Sequence, residues 1–244
     1  AVTQNDGFDP ESDILSLHYD HAPDRDDGHS AAADFTILAT RYGHDWLGGH
    51  VLPVSGTYGT NAGSFNPLSD MVMDTVWGEG GGWIAAHEDW DAAVQTVFDR
   101  WMAVLDAGGD IWVKEGGQSD LTAQVTMLIR HHNPDLDTRS RIHVVQHSDW
   151  NENTTEESAL AYVRDYADYI RIPDANSFLN LKGGDRAFER AAVSHDDFGE
   201  AWRAAFDYYP PGERLDFSDT GELMHILGLG EIGIGSFRKT YLVR

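Results

Sequence analysis

The chain has 244 residues, and 41 acidic against 17 basic side chains give it a formal net charge of −24. This charge repels phosphate backbones and anionic membrane surfaces and so argues against nucleic-acid or membrane partners, while 41% hydrophobic residues exclude a disordered chain. No run of about 18 apolar residues could span a bilayer, and the absence of cysteine excludes disulfides and thiolate chemistry.

The length allows one large α/β domain, and no internal repeat or Pro-rich linker divides the chain. We therefore expect a flexible N-terminal segment at residues 1–12 and a single domain at residues 13–244. The chain begins at Ala1 without a methionine or a basic n-region, as a secreted or periplasmic protein does after its signal peptide is removed. We expect that location, and the sequence leaves open whether the protein forms a homo-oligomer.

Apolar periodicity predicts alternating strands and helices through the first half of the chain. A Gly/Ser/Thr/Asn loop at residues 55–69 is long enough to suggest a functional loop. Gly108 and Gly109 end a predicted helix just before a short strand. The predicted elements are strand 14–19, helix 31–42, strand 50–54, helix 92–105 and strand 111–113.

The second half continues the same alternation. Ser119 or Asp120 can cap the next helix, and residues 142–145 are apolar and β-branched enough for a strand. Strands regularly separated by helices predict an α/β fold with a mostly parallel central sheet, whose ligand site lies beyond the carboxyl ends of the strands. The predicted elements are a helix ending at residue 128, strand 142–145, helix 156–166, strand 169–172 and helix 198–208.

An acidic turn follows the first predicted strand directly, in the segment HYDHAPDRDDGH at residues 18–29. Four carboxylates fall within eight residues, and such crowding is relieved when a divalent cation lies among them. Calcium accepts several carboxylate and carbonyl oxygens in flexible geometry. A solvated turn in a very acidic protein explains the pattern equally well. The four residues are Asp20, Asp24, Asp26 and Asp27.

This turn resembles the D-x-D-P-G-x-D-D motif of the nucleoside hydrolases, and more closely the D-x-x-x-E-P-D-D turn of the nucleoside-hydrolase-like domain in secreted cellulose-binding proteins. Three later stretches are similar to that family in the same order, and the resemblance extends from Asp13 to Leu229. It implies a nucleoside-hydrolase-like fold, with a mostly parallel central sheet flanked by helices. The later stretches are IWVKEGGQSDLTAQ at 111–124, RIHVVQHSDWN at 141–151 with YVRDYADYI at 162–170, and DFSDT at 216–220.

The resemblance also implies a calcium site and a reaction. In nucleoside hydrolases the ion orients a water and two sugar hydroxyls, and the water attacks the anomeric carbon. The implied function is calcium-dependent hydrolysis of an N- or O-glycosidic bond in a nucleoside or carbohydrate outside the cytoplasm. Carried over to this sequence, the ligands are Asp20 or Asp24, Asp27, the backbone carbonyl of Glu115, and Asp219.

Two positions depart from the family pattern. Ala22 stands where nucleoside hydrolases have the aspartate that acts as the water's general base, and Asp24 is the carboxylate expected to replace it. The family's late histidine, which acts on a purine leaving group, has no counterpart directly before Asp219. The rival hypothesis is therefore a non-catalytic carbohydrate-binding protein on the same fold.

The expected partner is a sugar-containing small molecule or a polysaccharide. Paired sugar hydroxyls need both donors and acceptors, which asparagine and acidic side chains supply, and tryptophan can stack on a sugar ring. The same residue types are also common in turns and in the core. The expected contacts are Asp26, Asn61, Asp149, Trp150 and Asn151.

A second metal hypothesis uses the histidines around the same turn. Imidazole and carboxylate together suit Zn²⁺ or Mn²⁺ rather than Ca²⁺. His18 and Asp20 share one face of the predicted strand, and His21 lies next to Asp20. A zinc or manganese hydrolase using His18, Asp20 and His21 is therefore the second alternative.

Overall fold

The structure, a computed structural model, describes residues 7–23, 25–78 and 82–243. Within these residues one sheet has six strands, all parallel, and a separate sheet has two antiparallel strands. The strands are β1 (Ile14–Tyr19), β2 (Val51–Ser55), β3 (Ile84–Ala85), β4 (Ile111–Gly116), β5 (Ile142–Gln146), β6 (Asp168–Arg171), β7 (Asn180–Lys182) and β8 (Arg214–Asp216).

The strand order of the large sheet is β3-β2-β1-β4-β5-β6. The chain builds outward from β1 to β3, then returns to add β4, β5 and β6 on the other side of β1. The carboxyl ends of β1 and β4 are therefore the topological switch point, where open α/β sheets bind ligands. Tyr19 lies opposite Gly116 at this end. The predicted mostly parallel central sheet is confirmed.

Helices cover both faces of the large sheet, as predicted. Helices α1, α3, α10 and α11 contribute to the core on one face, and α4, α5 and α7 contribute to the core on the other. The helices are α1 (Asp26–Tyr42), α2 (His44–His50), α3 (Ser69–Trp77), α4 (Trp90–Asp106), α5 (Asp120–His132), α6 (Asp149–Thr154), α7 (Glu157–Tyr166), α8 (Asn176–Leu179), α9 (Arg186–Val193), α10 (Gly199–Tyr208), α11 (Thr220–Ile226) and α12 (Ile234–Phe237).

Alternating side chains along each strand supply the two cores. In β1, Leu15 and Leu17 belong to the first core and Ile14 to the second, and all three are fully buried. Each core also buries one whole tryptophan, Trp202 in the first and Trp101 in the second. Both indole N–H groups have hydroxyl acceptors, at 3.1 and 3.2 Å, so neither ring buries an unsatisfied donor.

The acidic turn is shorter than the sequence suggested, because α1 begins at Asp26 and not at residue 31. Asp26 and Asp27 occupy the first turn of this helix, where negative charge is favoured by the exposed N–H groups and the helix dipole. The predicted loop at residues 55–69 ends where α3 begins at Ser69.

Part of the segment expected to be flexible packs against α1 and α2. Residues 1–6 lie outside the described residues, but the ring of Phe8 lies 6.5 Å from that of Tyr42 and 6.3 Å from that of Trp46. The indole of Trp46 donates a 2.9 Å hydrogen bond to the carbonyl of Pro10. In the described part of the chain, no helix is both long and apolar enough to cross a bilayer.

Candidate functional site

A cavity of about 300 Å³ lies at the carboxyl end of the large sheet, beside the switch point. The turn after β1, the first turn of α1 and the segments after β5 and β8 contribute to its wall. Its acidic lining consists of Asp20, Asp26, Asp27, Asp216 and Asp219. Asp24, the expected base, lies outside the described residues.

Asp20 follows β1 directly and is 5% exposed. Its Oδ1 accepts a 3.1 Å hydrogen bond from the backbone N–H of Ala22, and its Oδ2 accepts one of 2.9 Å from Nε2 of Gln118. Gln118 comes just after β4, so the two strands at the switch point together fix this carboxylate. Burial raises the pKa of Asp20 to about 7, and the charge of Asp219 adds to the rise.

Asp27 is the most deeply enclosed of these acids. Its Oδ2 accepts a 2.5 Å hydrogen bond from the backbone N–H of His21, but its Oδ1 meets no donor among the described residues. The carboxyl lies within hydrogen-bonding reach of those of Asp20 and Asp219. Burial raises the pKa of Asp27 well above its usual range, and the charges of Asp20 and Asp219 raise it further.

Asp219 comes from the other end of the chain and is paired with a histidine. Its Oδ1 lies 2.9 Å from Nε2 of His147, whose backbone N–H donates to Glu222. Burial works against the imidazolium, but the bond to Asp219 and the charge of Glu222 outweigh it and raise the pKa of His147 to about 9. Although burial opposes ionisation of Asp219, the His147 bond and the charge of Lys114 hold its pKa below the usual value.

A buried lysine lies below the acidic cluster. Nζ of Lys114 is 3.1 Å from Oδ2 of Asp34 and 3.9 Å from the centre of the Tyr19 ring, and both charged side chains are fully buried. Burial opposes its charge, but Asp34, Asp219 and Glu222 together raise the pKa of Lys114. Two buried cations, Lys114 and His147, therefore lie at the acidic cluster, and Arg214 lines the cavity 3.8 Å from Asp216. The carboxylates still outnumber these cations.

Three of the five expected substrate contacts line the cavity: Asp26, Trp150 and Asn151. The side chain of Trp150 is 53% exposed, which leaves its ring accessible for stacking. Asp149 and Asn61 are not among the lining residues. The Asp149 carboxylate is 87% exposed and pairs with Arg171 at 2.5 Å.

The side chain of Glu115 faces away from the cavity. Its Oε1 lies 2.9 Å from Nδ1 of His18, and its Oε2 accepts a 2.7 Å bond from the Thr122 hydroxyl. The backbone carbonyl of Glu115, the expected ligand, accepts a 2.9 Å bond from Nε2 of Gln146. A carbonyl oxygen has a second lone pair, so this bond leaves one acceptor position.

The three residues of the zinc or manganese hypothesis are not grouped. The second ring nitrogen of His18 lies 3.0 Å from the hydroxyl of Ser16, so both its nitrogens are engaged on the face opposite the cavity. The ring of His21 is fully buried beside Tyr19. Among the described residues, only Asp70, His87 and Glu88 offer three ligand atoms within 4.8 Å of one another. As a set of three, Asp20, Asp27 and Asp219 are spaced more widely than this, although Asp27 is close to each of the other two.

Sequence reasoning missed the polar residues that hold the aspartates in place. His147 follows β5 as directly as Asp20 follows β1, so its position at a strand end was a usable signal. Lys114 and Glu222 carried no such signal, because nothing in the sequence shows that these charged side chains are buried. The missed residues are Lys114, Gln118, His147 and Glu222.

A larger cavity of about 560 Å³ lies elsewhere, and its lining includes Trp112, His143 and Asp168. These residues lie at or near the starts of β4, β5 and β6. Parallel sheets bind ligands at the opposite end, so the smaller cavity is the stronger candidate. Comparisons with known proteins found no matching family model, no matching curated protein and no matching solved structure.

Proposed function

We propose that this chain is a nucleoside-hydrolase-like protein that binds calcium and hydrolyses a glycosidic bond in a nucleoside or carbohydrate outside the cytoplasm. One observation carries the proposal: Asp219, from near the other end of the chain, lines the same cavity at the switch point of the sheet as Asp20 and Asp27 of the acidic turn. These are three of the ligand positions that the family motif implies. The match of the four sequence stretches, in family order, supports the same assignment.

The donor set fits a hard cation. The pKa of His147 is raised to about 9 and its Nε2 is bonded to Asp219, so we do not expect it to act as a ligand. The three carboxylates of the cluster offer only oxygen ligands. Oδ1 of Asp27 meets no donor among the described residues. Burial raises the pKa values of Asp20 and Asp27, repulsion between the carboxyls raises them further, and a divalent ion would compensate both effects. Asp20, Asp27 and Asp219 would hold the ion, with waters filling the wider gaps.

The bound ion would supply a template for water and sugar hydroxyls and mild Lewis acidity. The protein supplies the rest: Asn151 and Asp26 offer donors and acceptors to hydroxyls, and Trp150 offers an exposed ring to a sugar face. The methyl group of Ala22 lines the cavity and cannot take a proton. We therefore assign the base to Asp24, which would accept the proton of the attacking water.

The carbohydrate-binding alternative stands on the same observation about Ala22. A site that keeps the cation and the sugar contacts but has no base near the water would bind saccharides without turnover. The zinc or manganese alternative has no comparable support, because the nitrogens of His18 are already engaged with Ser16 and Glu115.

The direct test is product release from nucleosides and glycans with calcium present and with calcium chelated. We expect free base or reducing sugar only with calcium, and no product from Asp27→Asn. Asp149→Asn is the matched control, because it makes the same chemical change at an exposed carboxylate outside the cavity lining. Saccharide binding without product would establish the binding protein, and neither binding nor product would remove both hypotheses.

Two variants separate a relocated base from a lost one. If Asp24 is the base, Asp24→Asn lowers turnover on the order of 10²- to 10⁴-fold while saccharide binding survives. If Asp24 is instead a ligand, the same change weakens calcium and saccharide binding together. Should the protein bind without turnover, Ala22→Asp restores a carboxylate at the cavity wall and is expected to produce activity.

A further inference from the structure

A second cluster of metal-ligating side chains lies outside this cavity. Asp70 is in the first turn of α3, and His87 and Glu88 follow β3. One ligand atom from each of the three lies within 4.8 Å of the other two, and none of the three residues lines the aspartate cavity.

His87 is held as a buried ligand would be. Its side chain is 9% exposed and its ring stacks on that of Phe65 at 4.1 Å. Nε2 lies 3.3 Å from Oδ1 of Asp70, yet neither ring nitrogen makes a hydrogen bond within the described residues. A buried imidazole without hydrogen bonds is unfavourable, and a bound metal ion would satisfy it.

The backbone around His87 is fixed by the end of β2. Gly56 has a φ of 83°, and a Cβ atom there would lie 2.8 Å from both the backbone nitrogen and the Cβ atom of His87. The N–H of Ala86 donates a 2.8 Å bond to the carbonyl of Ser55. The backbone that carries His87 is therefore rigid, as a preorganised metal ligand requires.

We propose that Asp70, His87 and Glu88 bind a divalent transition metal of the zinc type, with water completing the coordination. One imidazole and two carboxylates form a ligand set suited to Zn²⁺, whereas the all-oxygen aspartate cluster suits Ca²⁺. The ion ties the start of α3 to the turn after β3, so its binding stabilises this edge of the fold. The site is independent of the glycosidic activity proposed above.

Zinc titration of the metal-free protein by calorimetry, in excess Ca²⁺ to saturate the aspartate cavity, tests the proposal. We expect one equivalent of Zn²⁺ to bind and to raise the melting temperature. His87→Gln and Asp70→Asn are expected to lose this equivalent. Asp27→Asn is expected to keep it, and so is His131→Gln, which changes an exposed histidine at the end of α5. Co²⁺ in place of Zn²⁺ should give a visible absorption spectrum that disappears in His87→Gln.

Glu88→Gln covers the case in which the His87 variant fails to fold, because Glu88 is exposed. It should weaken zinc binding by at least about tenfold, a lower bound set by the effect of losing an outer-shell partner. The proposal is overturned if the protein binds no zinc, or if the binding survives His87→Gln, whatever the result with Asp27→Asn.

Discussion

Without calcium, the carboxyl of Asp20 should contribute less to the stability of the folded protein as the pH rises from 5 to 7. Burial raises the pKa of Asp20 from 3.8 to about 7. A carboxyl with a raised pKa in the folded state binds protons more tightly than in the unfolded chain, so its contribution is fully favourable only at low pH. Stability then falls as the pH rises above 3.8, and the loss is complete above about 7.

The size of the effect follows from the same shift. At about 1.4 kcal/mol for each tenfold change in proton affinity, Asp20 alone accounts for about 4 kcal/mol between the two ends of this range. The part that falls between pH 5 and 7 is about half of that. For a chain of this size, 1 kcal/mol corresponds to about 2–4 °C in melting temperature, so the contribution of Asp20 to the fall is about 4–8 °C. Asp27, with its pKa raised in the same direction, can only increase the fall.

The assay is thermal unfolding at pH 5 and pH 7, each in excess chelator and in excess calcium. Because the cation competes with protons for the same carboxylates, calcium should raise the melting temperature much more at pH 7. Three histidines also act in this window, so the contribution of Asp20 is measured as the difference between the protein and Asp20→Asn. The contribution of His147, whose pKa is raised from 6.5 to about 9, begins to fall above pH 6.5. Burial lowers the pKa values of His21 and His29 to about 3 and about 4, so these two cost stability at pH 5 that is regained by pH 7.

The variant Asp20→Asn should remove the part of the pH dependence that belongs to this carboxyl, about 4–8 °C between pH 5 and 7. Asp149→Asn should leave the pH dependence unchanged. If the chelated protein and Asp20→Asn show the same change in melting temperature between pH 5 and 7, or if the calcium effect is equal at both, the reasoning about the acidic cluster is refuted.

Three further changes have defined outcomes. Lys114→Met leaves Asp34 as an uncompensated buried charge and should lower the free energy of unfolding by about 3–5 kcal/mol, measured by urea denaturation; a loss below 1 kcal/mol would show that the pair is not buried in solution. Gly117→Ala places a Cβ atom 2.7 Å from the carbonyl oxygen of Thr57 and 2.9 Å from Cβ of Asp20, so the calcium affinity measured by calorimetry should fall. Gly63→Ala, whose Cβ atom would have nothing within 4 Å, should leave that affinity unchanged. Trp150→Ala removes an exposed ring and should weaken saccharide binding by about 0.5–1.5 kcal/mol with calcium binding intact; equal affinity for both proteins would exclude stacking.

The sequence predicted the strands best where buried apolar runs were bounded by turns. Strand 14–19 coincides with β1, and strand 142–145 differs from β5 by one residue. The two-residue β3 and the antiparallel pair β7 and β8 were missed, because strands this short have too little periodicity to be recognised.

For the site, the useful signal was that acidic residues follow a predicted strand directly. This position indicated that Asp20 and Asp27 belong to the ligand site, and the resemblance added Asp219; all three line the same cavity. The sequence pattern failed for side-chain direction: His18 shares a strand face with Asp20 by periodicity, yet its ring lies between Ser16 and Glu115. Where a side chain points at a strand end depends on partners far away in sequence, which one chain's pattern does not reveal.

Strands β1 and β4 carry buried polar pairs on both of their faces, and this limits which strand alignments can survive folding. His18 pairs with Glu115 on one face, and Lys114 meets Tyr19 and Asp34 on the other. A shift of one residue would turn every side chain to the wrong face and bury several charges without partners, at several kcal/mol each. An apolar pair of strands would tolerate such a slip far more easily. A shifted pairing of β1 and β4 is therefore strongly destabilised, and the loops that carry Asp20 and Gln118 keep their relative position because they follow directly from these two strands.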